Sequence, residues 1–252
     1  MLMERSYHWC DTNRLALNIA KSYFLIFSRT GKVCSSLTTI STSKGPLSRP
    51  NVRYVRFLGI LLDENLSFRN HIKMVQAKIL RNLGIIRKLK HIFPGSILRT
   101  LYFSLIQPYL TYCNSIWMST FQSLLHPIKV IHQKARQLVN EFNKGHRKVL
   151  LNTNALYVVS CSSMIFKYLH GELPRCFNSF FPDLVNSRSS YNLRNKDHLL
   201  LPQTKTVRSD FSPRIVCSKV WNSLPNNVGS IHSFDAFKTQ LKIFLVDRYN
   251  GE

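Results

Sequence analysis

The sequence predicts a mainly α-helical protein, of the α+β class, with a small β-hairpin near its N-terminus. Apolar residues recur at steps of three and four over 67–90, 122–142 and 233–249, which is the spacing of one buried helix face. Short runs rich in β-branched and aromatic residues, typical of strands, occur at 21–27 and 52–62. With 252 residues and 44% hydrophobic composition, the chain is long and apolar enough to bury a sizeable core.

The N-terminal quarter is predicted to combine the end of a helix, two strands and a long loop. Residues 9–20 have a helical pattern, and 21–27 resemble a strand. The segment 28–51 is rich in Ser, Thr, Gly and Pro, so we expect an exposed loop there. A second strand is predicted over 52–62, where Gly59 permits a bend or a close backbone approach. The two strands are able to pair as a hairpin around the loop.

A long amphipathic helix is predicted from Ser67, as its N-cap, to Lys90. Its apolar residues follow at steps of 3, 4, 4, 3 and 3, so they form one stripe for a core. The stripe consists of Ile72, Val75, Ile79, Leu83, Ile86 and Leu89. Basic residues occupy most of the remaining surface, and these are Lys73, Lys78, Arg81, Arg87, Lys88 and Lys90.

Two further helices are predicted before residue 143. The FPGS sequence at 93–96 ends the basic helix, and Ser96 is the expected cap of the next one. Pro108 should kink or interrupt that next helix, because proline lacks the amide hydrogen and clashes with the preceding turn. A third helix is predicted over 122–142. Its expected inward residues are Leu124, Ile128, Ile131, Leu138 and Phe142.

The C-terminal part is predicted to hold two helices with a polar region between them. The first helix covers 154–170, and 186–215 is mostly polar and turn-forming. A break is expected at Pro225. The last helix covers 233–249, with Ser233 as an ordinary N-cap. Its predicted buried face consists of Phe234, Phe237, Leu241, Phe244 and Leu245.

Positive charge is the strongest compositional signal. The chain has 35 Lys and Arg against 12 Asp and Glu, a net charge of +23. Between Glu64 and Glu141 there are 11 basic residues and no acid, which self-repulsion makes costly without an anionic partner. A folded chain this basic usually binds nucleic acid or an anionic membrane surface, and its 16 Phe and 10 Tyr favour nucleic acid. We therefore expect the basic residues of the 67–90 helix to contact phosphates.

Several classes of function are excluded by what the sequence lacks. The six cysteines are isolated, so neither a zinc finger nor a metal site is expected, and single cysteines suit a reducing compartment. No phosphate-binding glycine loop or hydrolase motif is present. Only Asp63 and Glu64 are adjacent acids, in a polar turn where acids are usually solvated or placed near a helix N-terminus. Without a signal peptide or an 18-residue apolar run, the protein is expected in the nucleus or cytoplasm, with no membrane partner.

An ordered set of phrases carries a family resemblance. Each phrase alone is weakly specific, but together they cover nearly the whole chain in a fixed order. They are NRLALNIAKSYFLIFS (13–28), VRFLGILLDENLSFRNHIKMVQAKI (55–79), LYFSLIQPYLTYCNSIW (101–117), IHQKARQLV (131–139), YNLR (191–194), VWNSLP (220–225) and SFDAFKTQLKIFL (233–245). The chain resembles the C-terminal part of the reverse transcriptase of non-LTR retrotransposons, in the jockey-like and related LINE groups.

The resemblance implies a role for each part of the chain. Residues 1–65 would be a palm-edge remnant that contains the hairpin, 66–142 a basic helical thumb that holds the template–primer duplex, and 143–252 the family's C-terminal region. Lys21 would lie near the phosphates of the incoming nucleotide. Phe57, Leu58 and Gly59 would form the primer-grip turn, which positions the 3′ end of the growing DNA. RNA, DNA or an RNA–DNA hybrid would be the partner.

The resemblance also implies what this chain lacks. The family's catalytic carboxylates, in an aromatic-x-Asp-Asp segment, precede the first matching phrase, so the chain is expected to be a fragment without polymerase activity of its own. No catalytic residue and no cofactor are expected in it, since Mg²⁺ belongs to the full-length enzyme. Two alternatives remain open at this point. The chain could be a stand-alone basic nucleic-acid-binding protein derived from a retrotransposon remnant, or a non-functional truncated product.

Overall fold

The structure, a computed structural model, describes residues 2–27, 39–48, 54–142, 150–185 and 198–249. These residues form a mainly helical protein with two small antiparallel sheets near the N-terminus, which confirms the predicted fold class. The chain divides into two compact units, Met1–His71 and Ile72–Glu252. The boundary falls inside the first long helix. The three-part division at residues 65 and 142 stays a prediction.

In the first unit, helix α1 (Leu2–Thr12) packs against a hairpin of β1 (Thr39–Thr42) and β2 (Gly45–Ser48). The Tyr7 hydroxyl donates to Thr42 Oγ1 over 3.0 Å, and Lys44 forms an ion pair with Asp11. The predicted loop over 28–51 is therefore wrong for 39–48, while 28–38 and 49–51 lie outside the described residues. The β-branched residues Thr39, Ile40 and Thr42 favour an extended backbone, which the Ser-rich composition of the segment concealed.

The predicted strand over 21–27 is wrong. A 3₁₀ turn covers Ile19–Lys21, and 22–27 form no strand beyond one isolated bridge between Tyr23 and Ser48. The side chain of Asn18 accepts a hydrogen bond from the Lys21 amide over 3.2 Å. Such local side-chain bonds compete with a strand ladder and favour a turn. The predicted pairing of 21–27 with 52–62 is wrong as well.

The second predicted strand folds back on itself. Strands β3 (Tyr54–Phe57) and β4 (Ile60–Asp63) form a hairpin through a loop of two residues, Leu58 and Gly59. Both loop residues have positive φ, at 44° and 86°, which is the sign pattern of a type I′ turn. The expected bend at Gly59 is confirmed, because this conformation favours glycine. The prediction of a single strand over 52–62 is wrong, because the turn divides it into β3 and β4.

The long basic helix α2 (Arg69–Leu89) starts as predicted. The Asp63 carboxylate accepts hydrogen bonds from the amides of Asn65 and Ser67 and from the Ser67 hydroxyl, over 2.9–3.0 Å. The Ser67 Oγ in turn accepts from the Arg69 amide over 3.3 Å, which caps the helix. The predicted apolar stripe is buried, except that its last member, Leu89, is half-buried.

The following helices are α3 (Gly95–Leu105), α4 (Gln107–Thr111), α5 (Asn114–Trp117) and α6 (Gln122–Phe142). The predicted cap at Ser96 is wrong, because α3 begins directly after Pro94 and Ser96 lies inside its first turn. The interruption at Pro108 is confirmed, since the proline stands in the first turn of the separate helix α4. Helix α6 has the predicted bounds, but Phe142 is exposed and Leu124 only half-buried.

A buried polar network joins three helices of the second unit. The Tyr102 hydroxyl of α3 lies 2.6 Å from Nε2 of His132 on α6. The His132 Nδ1 lies 2.7 Å from the hydroxyl of Thr153, the first residue of α7 (Thr153–Leu169). Burial, assisted by the positive charge of Arg136, lowers the pKa of His132 to about 3. The imidazole is therefore neutral, with one nitrogen donating and the other accepting.

The C-terminal core is formed by α7 (Thr153–Leu169), α9 (Pro213–Asn222) and α11 (Phe234–Tyr249). The rings of Phe166 and Phe237 stack at its centre, 4.7 Å apart. Helices α7 and α11 have the predicted positions, and the predicted inward residues of α11 are buried or half-buried. Short helices α8 (Val207–Asp210) and α10 (Asn226–Gly229) complete the region, with the expected break at Pro225.

The predicted turn-forming region 186–215 is only partly correct. Residues 186–197 lie outside the described residues, and 198–206 have no helix or named strand. Helix α9 starts inside the predicted region because Pro213 takes its first position, where the missing amide hydrogen is not needed.

Candidate nucleic-acid interface

Four of the predicted phosphate-contacting residues form one exposed face on α2. Lys73, Arg81, Arg87 and Lys88 all project from the side opposite the buried stripe, within about 120° of the helix circumference at 100° per residue. From Lys73 to Lys88 this face is about 22 Å long at 1.5 Å per residue. We refer to these four residues as the basic face. Its length matches about six phosphates of one strand at 3.4 Å per step.

The other two predicted residues are oriented differently. Lys78 is half-buried, with its Nζ 5.0 Å from the centre of the Tyr109 ring. Lys90 follows the helix, and its Nζ lies 5.5 Å from the centre of the Phe142 ring. Cation–π contacts of this kind stabilise the ammonium group while they limit its reach. Their ring partners are 31 and 52 residues away in the sequence, so spacing alone did not indicate them.

No acid neutralises the basic face within the described part of the chain. The ion pairs found there join Lys44 to Asp11 and Lys219 to Asp210, and neither involves α2. Not every cation of the acid-free stretch is available, however. Arg136 is half-buried and its Nε donates to the Leu150 carbonyl over 2.8 Å, so its role is structural. Helix α2 carries six of the 11 basic residues of this stretch.

Small and apolar residues lie among the cations of the basic face. Ala77 is exposed, and a Cβ added to Gly84 would meet no atom within 4 Å. Leu80 stands at the edge of the same face and is 48% exposed. Glycine inside a helix weakens it, so Gly84 has a cost that the fold itself does not explain. The small residues leave the helix backbone open to close approach between the cations.

The three primer-grip-like residues lie at one end of the β3–β4 hairpin. Phe57 is 60% exposed and Leu58 is 75% exposed, and Gly59 completes the turn. Two large apolar side chains thus project from a tight and strained loop. Leu58 adopts a left-handed backbone conformation that costs a non-glycine residue free energy. An exposed apolar tip of this kind is typical of a contact surface rather than of core packing.

Lys21 is exposed at the end of the 3₁₀ turn. It belongs to the first unit, as does the hairpin tip, whereas the basic face belongs to the second unit. The structure thus brings the basic face together along one helix and the primer-grip-like residues together in one turn. Lys21 forms no ion pair among the described residues.

The adjacent acids Asp63 and Glu64 are buried rather than solvated. Asp63 uses both carboxylate oxygens for the hydrogen bonds that start α2. Asp63 and Glu64 therefore lie near a helix N-terminus. This was one of the two placements expected from the sequence, the other being a solvated turn. Within the described ranges, no three His, Cys, Asp or Glu side chains are grouped so as to bind a metal ion. A two-metal site needs several converging carboxylates, and the acids of the described ranges form no such group.

Comparisons with known proteins give no assignment. Neither protein-family models nor curated proteins nor solved structures match this chain. Among the helices that the structure describes, none has an apolar stretch long enough to cross a bilayer.

Proposed function

We propose that this chain is the C-terminal part of the RNA-directed DNA polymerase of a non-LTR retrotransposon, and that its basic face binds the backbone of the template–primer duplex. The observation that carries the proposal is the row of four exposed cations between Lys73 and Lys88 on α2, none of which is ion-paired within the described residues. The proposed family is based on the ordered phrases of the sequence. Lys78 and Lys90 would add weaker contacts beside the row.

The binding mode follows from the charge pattern. Phosphates attract the four cations wherever they occur along a duplex, so the binding depends on the backbone and carries little sequence preference. Each phosphate contact releases a counterion, and log K falls with log[salt] by about 0.9 per contact. Four contacts would therefore give a slope of about −3.6 from this face alone.

The two sites of the first unit would have separate roles in the same reaction. The apolar tip of Phe57 and Leu58 is suited to contact with the sugar and base at a primer end. Lys21 would approach a nucleotide phosphate. Asp63 is engaged in starting α2, and the described residues hold no group of three His, Cys, Asp or Glu side chains that could bind a metal ion. We therefore assign this part of the enzyme the binding and positioning of nucleic acid and not the transfer of nucleotides.

A charge-reversal experiment tests the proposal. The triple variant Lys73→Glu, Arg81→Glu, Lys88→Glu should bind an RNA–DNA hybrid of about 20 base pairs on the order of 100-fold more weakly near 0.15 M salt. The matched control is Arg175→Glu, Lys205→Glu, Arg214→Glu, three exposed residues outside α2 with the same change of net charge. Fluorescence anisotropy measures both. An equal loss in the two triples would contradict a defined face.

Primer extension on an RNA template separates binding from catalysis. With Mg²⁺ and nucleotides present, the purified chain should bind the primed template without extending it. Extension would show that carboxylates of this chain form a site, and the assignment of a purely binding role would fail. Extension would also favour an active enzyme over a stand-alone binding protein.

A further inference from the structure

A groove of about 1010 Å³ lies within the second unit, along α7. Helix α11 forms one side of it, and residues of α3 and α4 form the other. Its lining runs from Leu156 to Lys167 on α7 and from Phe234 to Asp247 on α11. At 1.5 Å per residue these stretches are about 16 Å and 20 Å long. The groove therefore has the length of about three helical turns.

The groove combines apolar lining with polar atoms that lack partners. Phe103 and Ile243 line it and are 41% and 51% exposed, although both are large apolar side chains. The Nη1 of Arg99 and the Oγ of Ser163 are buried in its walls without a hydrogen-bond partner in the described residues. Burial of unpartnered polar groups is costly.

Cations stand on both sides of the groove. Arg99 lies on the α3 side, Lys238 and Lys242 lie on the α11 side, and Lys167 extends from α7. Asp247 is the one acid among the lining residues. Burial and the nearby charge of Lys238 lower the pKa of Lys242, so these ammonium groups are crowded and partly desolvated. An occupant with negative charge along both of its edges would relieve this repulsion.

We propose that this groove binds an acidic amphipathic helix of about three turns from another protein. Its apolar face would pack on α7, and its Asp or Glu side chains would face Arg99 on one side and Lys238 and Lys242 on the other. Carboxylates match the arginine donors, and apolar side chains at helical spacing match the aliphatic lining. The assignment is independent of the proposed duplex binding by α2.

Other occupants fit the groove less well. A second copy of this chain carries the same net charge of +23 and would be repelled. Single-stranded nucleic acid binds by stacking on open aromatic faces. Here Arg99 lies 5.2 Å from the Phe103 ring centre, and Lys167 lies 4.9 Å from that of Phe234. An acyl chain carries at most one anionic group, at its end, and would leave most of the lining cations without an anionic partner.

The test uses the full chain and a fluorescein-labelled helical peptide of about 16 residues, with leucines on one face and glutamates on both flanks. We expect the double variant Lys238→Glu, Lys242→Glu to bind this peptide about tenfold more weakly. The control peptide carries lysines in place of the glutamates and should not bind the wild-type chain. Unchanged affinity of the double variant would overturn the proposal, as would equal binding of the lysine peptide.

The basic-face triple variant provides the separating control. It should keep the peptide affinity while it loses the hybrid, and the Lys238/Lys242 variant should do the reverse. Displacement of the peptide by a single-stranded oligonucleotide in the basic-face variant would identify the groove as a nucleic-acid site and overturn the peptide assignment. Thermal melts of both variants establish that they are folded, since all five substituted residues are exposed or half-buried.

Discussion

Helices α2 and α11 both carry cations, but the surface beside those cations differs. On α2 they form one exposed face with small residues between them and no acid in the helix. On α11 they stand at the edge of an apolar groove, and the helix also contains Asp235 and Asp247. Basic residues therefore suit the backbone of a nucleic acid on α2 and an acidic helical peptide on α11.

The strongest test of this difference between α2 and α11 measures the binding of each charge-reversal variant to both ligands, the hybrid and the acidic peptide. Reversal of the three α2 charges should weaken hybrid binding on the order of 100-fold and change peptide binding less than about twofold. Reversal at Lys238 and Lys242 should produce the opposite pattern. If both variants weaken both ligands equally, the cations act only through net charge and the comparison fails.

Acidification should disable both surfaces together, because His132 belongs to the framework that they share. Its folded pKa of about 3 lies below the ordinary value of 6.5. The unfolded chain therefore binds a proton that the folded chain does not, and stability is lost as the pH falls from 6.5 towards 3. The expected slope from this group is up to about 1.4 kcal/mol per pH unit.

Urea unfolding at several pH values measures that slope. In His132→Gln the dependence on pH between 4 and 6 should become shallower by about that amount per unit. The matched control is His126→Gln, an exposed residue on the same helix, which should retain the wild-type slope. An unchanged slope in His132→Gln would contradict the assignment of a buried, neutral imidazole.

Sequence periodicity predicted the long helices α2, α6, α7 and α11 and missed the contacts between helices, whereas the helical pattern over 9–20 was wrong beyond Thr12. The bounds of α6 follow from apolar spacing, because a single buried face imposes a 3.6-residue period. The bond of His132 joins it to Tyr102 and Thr153, 30 and 21 residues away, so no local pattern indicates it. The groove depends on the packing of four helices. The face of α2 was predictable because all of its cations belong to one element.

The substitution Gly84→Ala also distinguishes α2 from α11, with a smaller expected effect than the charge reversals. Because the new methyl group meets open space, the variant should be more stable by about 0.5–1 kcal/mol. If a duplex approaches the α2 backbone closely, hybrid affinity should fall while peptide affinity stays constant. Chemical unfolding and the two binding assays measure these quantities. A loss of stability would show that the site is not open.

Leu58→Gly should have the smallest effect on the folded chain. The substitution removes the left-handed strain of a non-glycine residue, so stability should rise by a few tenths of a kcal/mol, up to about 1. Binding to a blunt hybrid should not change, since the basic face is intact. Binding to a primed template should weaken if the hairpin tip contacts the primer end. An equal effect on the two substrates would argue against that contact.

The salt dependence of hybrid binding is the most direct test of whether the basic face of α2 contacts the phosphates of a duplex. Affinities of the wild-type chain and the basic-face triple variant are measured between about 50 and 200 mM salt, the range over which phosphate contacts have large effects. The slope of log K against log[salt] should be shallower in the variant by about 2.7, because three contacts are lost. Identical slopes would show that α2 does not contact the phosphates, and the proposed interface would be wrong.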